Sequence, residues 1–349
     1  MRTRVPLRFL GGLAIFLGVG VGFLSLQMHM LLLPPEIPAA TSAPVLVTIS
    51  PGASSKDVAE VLQEAGLVRS ALLFRYYAMY RGLDQELQAG TYQFRRGMTS
   101  AELLQALAAG EVFRPTVTVT IPEGLTLEQI AAVLAEAGLL NEADFMSAAA
   151  AAVPVLGRQL PGQRHALEGF LFPDTYEFDA QTSAEAVINR LQQRLMDVFD
   201  EDLRQRAQQL DFDVHQIITL ASLIEREVRV PAERELVSAV LHNRLRTRMP
   251  LQVDATVLYA LARHQEIVLY RDLEVDSPFN TYRVAGLPPG PIASPGRAAL
   301  LAALYPADED YLYYVAREDG SGGHYFAKTF GEHTENIRRA RARRGQRNP

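Results

Sequence analysis

Residues 217–248 read IITLASLIEREVRVPAERELVSAVLHNRLRTR. The first half has a helical signature. Ile217, Leu220, Ala221, Ile224 and Val228 recur at the three-and-four spacing that gathers apolar side chains on one stripe. At about 100° per residue, Glu225 and Glu227 fall on opposite edges of that stripe and Arg226 points away from it. A carboxyl at the edge of an apolar face loses hydration, which raises its pKa and lets it hold a proton near neutrality. A general acid acting on a glycosidic oxygen needs that property. The spacing does not say which glutamate serves. It equally fits two rim charges paired with Arg226, Arg229 or Arg234, since exposed helix charges are common. Pro231 permits a fresh helix start, and residues 232–248 carry a second apolar stripe through Leu236, Val240 and Leu241.

Downstream, Asp254 stands before the apolar run 255–261, where an N-cap is its first explanation. Gln252, just before it, suits a sugar hydroxyl. Asn280, Thr281 and Tyr282 lead into the Gly/Pro-rich stretch 286–296, which has too many prolines for a helix or central strand and is expected to be an ordered surface loop. Asn280 can donate and accept hydrogen bonds, and Tyr282 offers both a hydroxyl and a face for a pyranose. Asn243 and Arg244 sit near the end of the second helix, where a cation complements the helix dipole. Residues 311–317 and 324–327 read as strands around the turn 319–323. His324 could orient a carboxyl, although a lone histidine is more often structural.

Upstream, VTISPGASSKDVAEVLQEAGLV begins at Val47 and is echoed 72 residues later, at Val119, by VTIPEGLTLEQIAAVLAEAGLL. Each copy predicts a short strand, a glycine turn and an amphipathic helix closed by Gly66 or Gly138. Residues 90–111 add a strand and another helix between them. An alanine-rich helix at 147–153 follows, then aromatic-rich sequence in which Phe170, Phe172, Tyr176 and Phe178 are expected to line one strand face interrupted by Pro173. Residues 182–211 predict a polar helical pair.

The N-terminus carries the plainest local signal. Arg2, Arg4 and Arg8 precede an apolar run over 9–33, long enough to cross the roughly 30 Å hydrocarbon layer. Residues 1–8 are therefore expected in the cytoplasm and the rest outside. The competing reading, a cleaved signal peptide, is disfavoured by the long apolar core and by Pro44 after the small-residue segment AATSA. A prolyl linker covers 34–45, and a basic tail, expected to be solvated, covers 336–349. With 349 residues, 21% charged and a net charge of −6, nothing points to nucleic acid. Cysteine and tryptophan are both absent, so there is no disulfide framework, and any sugar-stacking platform must use Tyr, Phe or His. No HExxH, GxSxG or Walker A pattern occurs, leaving metal, nucleotide and cofactor chemistry unsupported.

LASLIEREV, AERELVSAVLHNRL, LQVDATVLYAL, NTYRVAGLPPGPIASPG and GGHYFAKTF, with LEGFLFPDTYEF upstream, resemble in order the signatures of the MltG/YceG-like endolytic murein transglycosylases. The likeness runs from residue 47 to about 330. It implies an α+β protein with an N-terminal transmembrane helix. A LysM-like module would lie at 46–117 and a mixed α/β catalytic region at 118–335, beginning with a second LysM-like repeat. LysM modules bind N-acetylglucosamine chains, although these repeats could equally brace the catalytic region or contact a partner.

The resemblance implies that Glu225 is the catalytic acid/base and leaves Glu227 open. It places Asn243 and Arg244 along the cleft or bracing it and Glu168 and Asp174 in support of its wall; Asn243, Gln252, Asp254, Asn280 and Tyr282 are the expected substrate contacts. Glu225 and Glu227 differ by about 200° around a helix and so do not converge on one bond. A lytic transglycosylase needs only one carboxyl. It cuts the glycan strands of peptidoglycan without water and leaves 1,6-anhydro ends; peptidoglycan synthases are expected partners. Two rivals stand beside this reading. One is a hydrolase using Asp254 or Glu168 as a second carboxylate, and the other a non-enzymatic wall-binding or division scaffold. A groove for several sugars, with Tyr282 or Asn280 on its wall, is expected beside Glu225.

Overall fold

The computed structural model describes residues 43–262 and 268–347. The expected membrane span and most of the linker lie outside the described residues. No described helix is long and apolar enough to cross a membrane. Contacts divide the chain into two units, one ending at Pro115 and the other starting at Thr116.

In the first unit, β1 (Val45–Ile49) pairs antiparallel with β2 (Gly90–Phe94), Val47 opposite Tyr92. Helices α1 (Ser55–Glu64) and α2 (Ala71–Arg81) run between the strands, and α3 (Ser100–Ala109) follows. A two-stranded ribbon is marginal by itself. Here Val47, Ile49, Tyr92 and Phe94 point to one face and are covered by Val58, Leu62, Phe74, Leu103 and Leu107 from the helices.

The second unit opens on the same plan. β3 (Thr116–Thr120) leads into α4 (Leu127–Glu136) and α5 (Glu142–Ala151), and pairs antiparallel with β4 (Thr175–Asp179). Equivalent residues do equivalent work. Ser54 and Thr126 are N-caps, each in a reciprocal capping box closed by Asp57 or Gln129. The C-caps are Ala65 and Ala137, and the glycine after each turns left-handed, Gly66 at φ +68° and Gly138 at +71°. In the turn before the helix, Pro51 of the first copy is replaced by Glu123 in the second.

Helices α6 (Ala184–Val198), α7 (Glu201–Gln209), α8 (Val214–Glu227), α9 (Arg234–Arg246), α10 (Asp254–Leu261) and α11 (Arg297–Leu304) follow. β5 (Tyr313–Ala316) and β6 (His324–Ala327) then form a hairpin, and α12 (Phe330–Arg347) ends the described chain. α8 is the axis of this half. Every residue from Ile217 to Ile224 is buried, so the single expected stripe widens to the whole circumference, as a fully enclosed helix requires. Its polar groups are satisfied locally: Thr219 donates to the His215 carbonyl at 2.7 Å and Ser222 to the Thr219 carbonyl at 2.6 Å.

One expectation is corrected, and the form of the basic tail is added to another. The aromatic run divides between cores: Tyr176 and Phe178 lie in β4 and the repeat's core, whereas Phe170 and Phe172 precede the strand and pack around α8. Gly169 at φ +78° and Pro173, which has no N–H to donate, keep the backbone turning before pairing starts. The basic tail, through residue 347, belongs to α12. Arg343 pairs with Asp319 at 2.9 Å, and the Arg339 guanidinium lies 4.5 Å from the Tyr325 ring centre. Arginines held on an aromatic face dock this charged segment.

Candidate active site

The last turn of α8 carries Glu225, partly exposed. Two loops are stitched together over that turn. Gly124 N–H donates to the Ser294 carbonyl and Ser294 N–H to the Leu125 carbonyl, both at 2.8 Å. The loop preceding α11 is also tied to α8 itself, because its Ile292 N–H donates to Ser222 Oγ at 3.1 Å. Gly296, the N-cap of α11, donates its N–H to Glu225 Oε2 at 3.1 Å. Burial pushes the Glu225 carboxyl above its usual range. The Gly296 hydrogen bond pulls it back, the negative charge of Glu123 adds to the rise, and Arg234 and Arg226 oppose it. Arg226 itself donates to the Gly124 carbonyl at 3.0 Å instead of pairing with a glutamate.

Glu227 faces the other way. Burial pushes its carboxyl up to about 7; the Tyr314 hydroxyl, donating at 2.9 Å, and the Ala255 amide pull it down, while Asp254 pushes it up. Glu227 therefore serves the start of α10, which corrects the expectation for Asp254. Val253 is the N-cap residue of α10, and no side-chain cap bond is made there. Asp254 instead accepts the Tyr282 hydroxyl at 2.5 Å. Buried Arg244 closes the cluster, donating to the carbonyls of Leu312, Pro250 and Leu251 and to Gln252 Oε1. Gln252, Asp254 and Tyr282 thus come together around Glu227.

Asn243 and Asn280 are spent on the framework. Asn243 donates to the carbonyls of Glu309 and Tyr311 at 2.8 and 2.9 Å. Asn280 is 0% exposed, donates to Leu273 and Val275 carbonyls and accepts the Tyr282 N–H. It clamps its loop and has no surface for a sugar, contrary to expectation. Glu168, 2% exposed, accepts the Leu127 N–H at the start of α4 and the Tyr259 hydroxyl. Burial pushes it up to about 8, with the Glu128 charge adding to the rise. That position closes it to a water-activating role but fixes the wall behind the site. Asp174 pairs with Arg194 at 2.7 Å, and buried His324 with Glu233 at 2.7 Å.

A cavity of about 380 Å³ adjoins this turn, lined among others by Glu128, Arg164, Arg226, Leu258 and Tyr259. Arg226 reaches into it from beside Glu225. Glu225, Tyr282 and Asn280 are not among its lining residues; its walls come from α4, α10 and Arg226.

Gly169 decides how the 291–296 loop is seated. A β-carbon there would stand 2.3 Å from Pro291 Cβ, and φ is +78°. Gly169→Ala is expected to cost about 2–3 kcal/mol and to lift the loop from Glu225. Chemical denaturation checks this; an unchanged midpoint would mean that the loop yields freely.

Residues 47–339 match the YceG-like family. The chain belongs to that family. It is 36% identical over 334 residues to the endolytic murein transglycosylase of Bacillus subtilis, covering 90% of this chain and 89% of the relative. The endolytic murein transglycosylase of Streptococcus pneumoniae strain D39 is 34% identical, over 84% of this chain and 58% of its own length. A crystal structure of a yceG-like protein from Listeria monocytogenes is 34% identical and superposes with a TM-score of 0.59, covering 84% of this chain and 99% of that one.

One residue of this YceG-like site escaped the sequence reading. Glu123 lies across Gly296 from Glu225: a β-carbon on Gly296 would stand 1.8 Å from Glu123 Oε1. The available signal was the repeat itself, where the second copy puts a carboxylate in place of Pro51.

Proposed function

We propose that this chain is an endolytic murein transglycosylase in which Glu225 is the acid and the base. The observation that carries the reading is a half-buried carboxyl that faces opposing influences. Burial and Glu123 favour its proton, and the Gly296 amide favours its anion. A group that must first give a proton and then take one needs both forms within reach. Relatives bearing that name support the substrate class.

Glu225 donates its proton to the oxygen joining muramoyl C1 to the next N-acetylglucosamine. The C1–O bond breaks through an oxocarbenium-like state. The muramoyl C6 oxygen then bonds to C1 while its proton passes to Glu225. The products are a 1,6-anhydro-muramoyl end and a free sugar hydroxyl, and no water is consumed.

Glu123 gives a second reading, since a carboxylate opposite the acid could activate water for hydrolysis. Mass spectrometry of digested strands separates the two. Anhydro ends are expected; reducing ends carrying ¹⁸O from labelled water would make the enzyme a hydrolase with Glu123 as its base.

In this proposal the apolar run 9–33 is a single-pass anchor in the inner (cytoplasmic) membrane. Arg2, Arg4 and Arg8 hold its start in the cytoplasm, and the catalytic region lies outside. Peptidoglycan synthases hand over nascent strands, whose growth the cut ends. The strand–helix–helix–strand order of both repeats supports a LysM-like assignment.

A further inference from the structure

Helix α2 keeps large apolar side chains in water. Leu72 is 60% exposed, Tyr76 55%, Met79 48% and Tyr80 86%, while Phe74 and Ala78 on the opposite side are buried in the first unit's core. At 3.6 residues per turn these four fall within an arc of about 100°. Exposed Arg75 borders the arc, and α2 contains no acidic residue. Glu60 and Glu64 of α1 border only its Leu72 end, across a shallow groove. A contiguous apolar patch with a polar rim marks an interaction surface. Tyrosines and arginine around aliphatic side chains match the chemistry of the membrane–water boundary.

The tether argues for the occupant. The stretch from Pro34 to Pro44 separates the apolar run from β1, and so short a segment spans at most about 37 Å when fully extended. The first unit is thus confined close to the bilayer that holds the anchor. A short tether gives an effective concentration in the millimolar range, so weak contacts suffice to keep such a face docked.

We propose that the Leu72, Tyr76, Met79 and Tyr80 face of α2 rests on the lipid surface beside the chain's own anchor. This rests on the reading of 9–33 as a membrane span. Docking fixes which side of the first unit faces the bilayer and leaves its other sides to the wall.

The chain has no tryptophan, so one introduced indole reports alone. Full-length Tyr80→Trp is reconstituted in phosphatidylcholine–phosphatidylglycerol vesicles containing acyl-brominated lipid. Its emission is expected to be quenched at least about twofold more than that of Tyr270→Trp, a position 89% exposed in the second unit. Adding Met79→Asp to Tyr80→Trp is expected to remove the difference. Protein that floats with the vesicles but shows equal quenching at both positions overturns the docking alone. Emission that answers to added glycan strands and not to brominated lipid also overturns it, and makes the face a saccharide platform. Protein that does not float overturns the anchor and the docking together.

Discussion

Glu225→Gln is expected to lower the rate of glycan cleavage by about a thousandfold or more and to leave the fold intact. The amide keeps an oxygen that accepts the Gly296 N–H, so the start of α11 and the loop over the site stay in place. It cannot give a proton to the leaving oxygen, nor take one from the C6 hydroxyl. Both halves of the reaction fail through one substitution. The wild-type rate is expected to fall as pH rises through the elevated pKa of Glu225, because burial holds its proton to higher pH than an ordinary carboxyl does. Initial rates on isolated strands, with products identified by mass, check both statements. A variant retaining more than about a tenth of the activity would place the acid elsewhere.

At Glu168 the large effect is on stability and runs with pH. Its carboxyl sits at about 8 in the folded protein against an ordinary 4.5. Between those values the folded state binds the proton and the unfolded chain has released it. The stabilisation is therefore complete below about pH 4.5 and is lost as pH climbs through about 8. Each unit of separation is worth about 1.4 kcal/mol, so several kcal/mol fall within that window. Glu168→Gln cannot ionise. Its oxygen can accept the Leu127 N–H and its amide can donate to the Tyr259 hydroxyl. The variant is expected to match wild type at pH 4 to 5 and to exceed it by a few kcal/mol at pH 8 to 9. Denaturant midpoints across that range test it. Parallel pH profiles for the two proteins would show that this carboxyl is hydrated.

What could be read ahead of the structure was local or repeated. The helix under Glu225 follows from its own spacing, and the two strand–turn–helix copies follow from their likeness, down to the left-handed glycines Gly66 and Gly138 that close them. What escaped was set by partners distant in the chain. Asp254 before an apolar run reads as a cap, yet the carboxyl that serves that helix belongs to Glu227, on another element. Asn280 reads as a free amide in a surface loop, and only its three partners show that it is committed. Glu123 gains its importance from what packs against it, and beforehand only its exchange for Pro51 between the two copies marks it. The chemistry of Glu225 needed the resemblance to the family, because spacing alone left Glu227 an equal candidate.

Two glutamates from one turn of α8 meet the amino ends of two different helices, Glu225 that of α11 and Glu227 that of α10. Losing or gaining one residue inside α8 would swing both by about 100° and unseat both neighbours at once. The address of Glu225, the proposed acid, is thus written in the count of residues along a buried rod. The distance from Ser222, which holds Ile292, to Glu225 is locked by the same count.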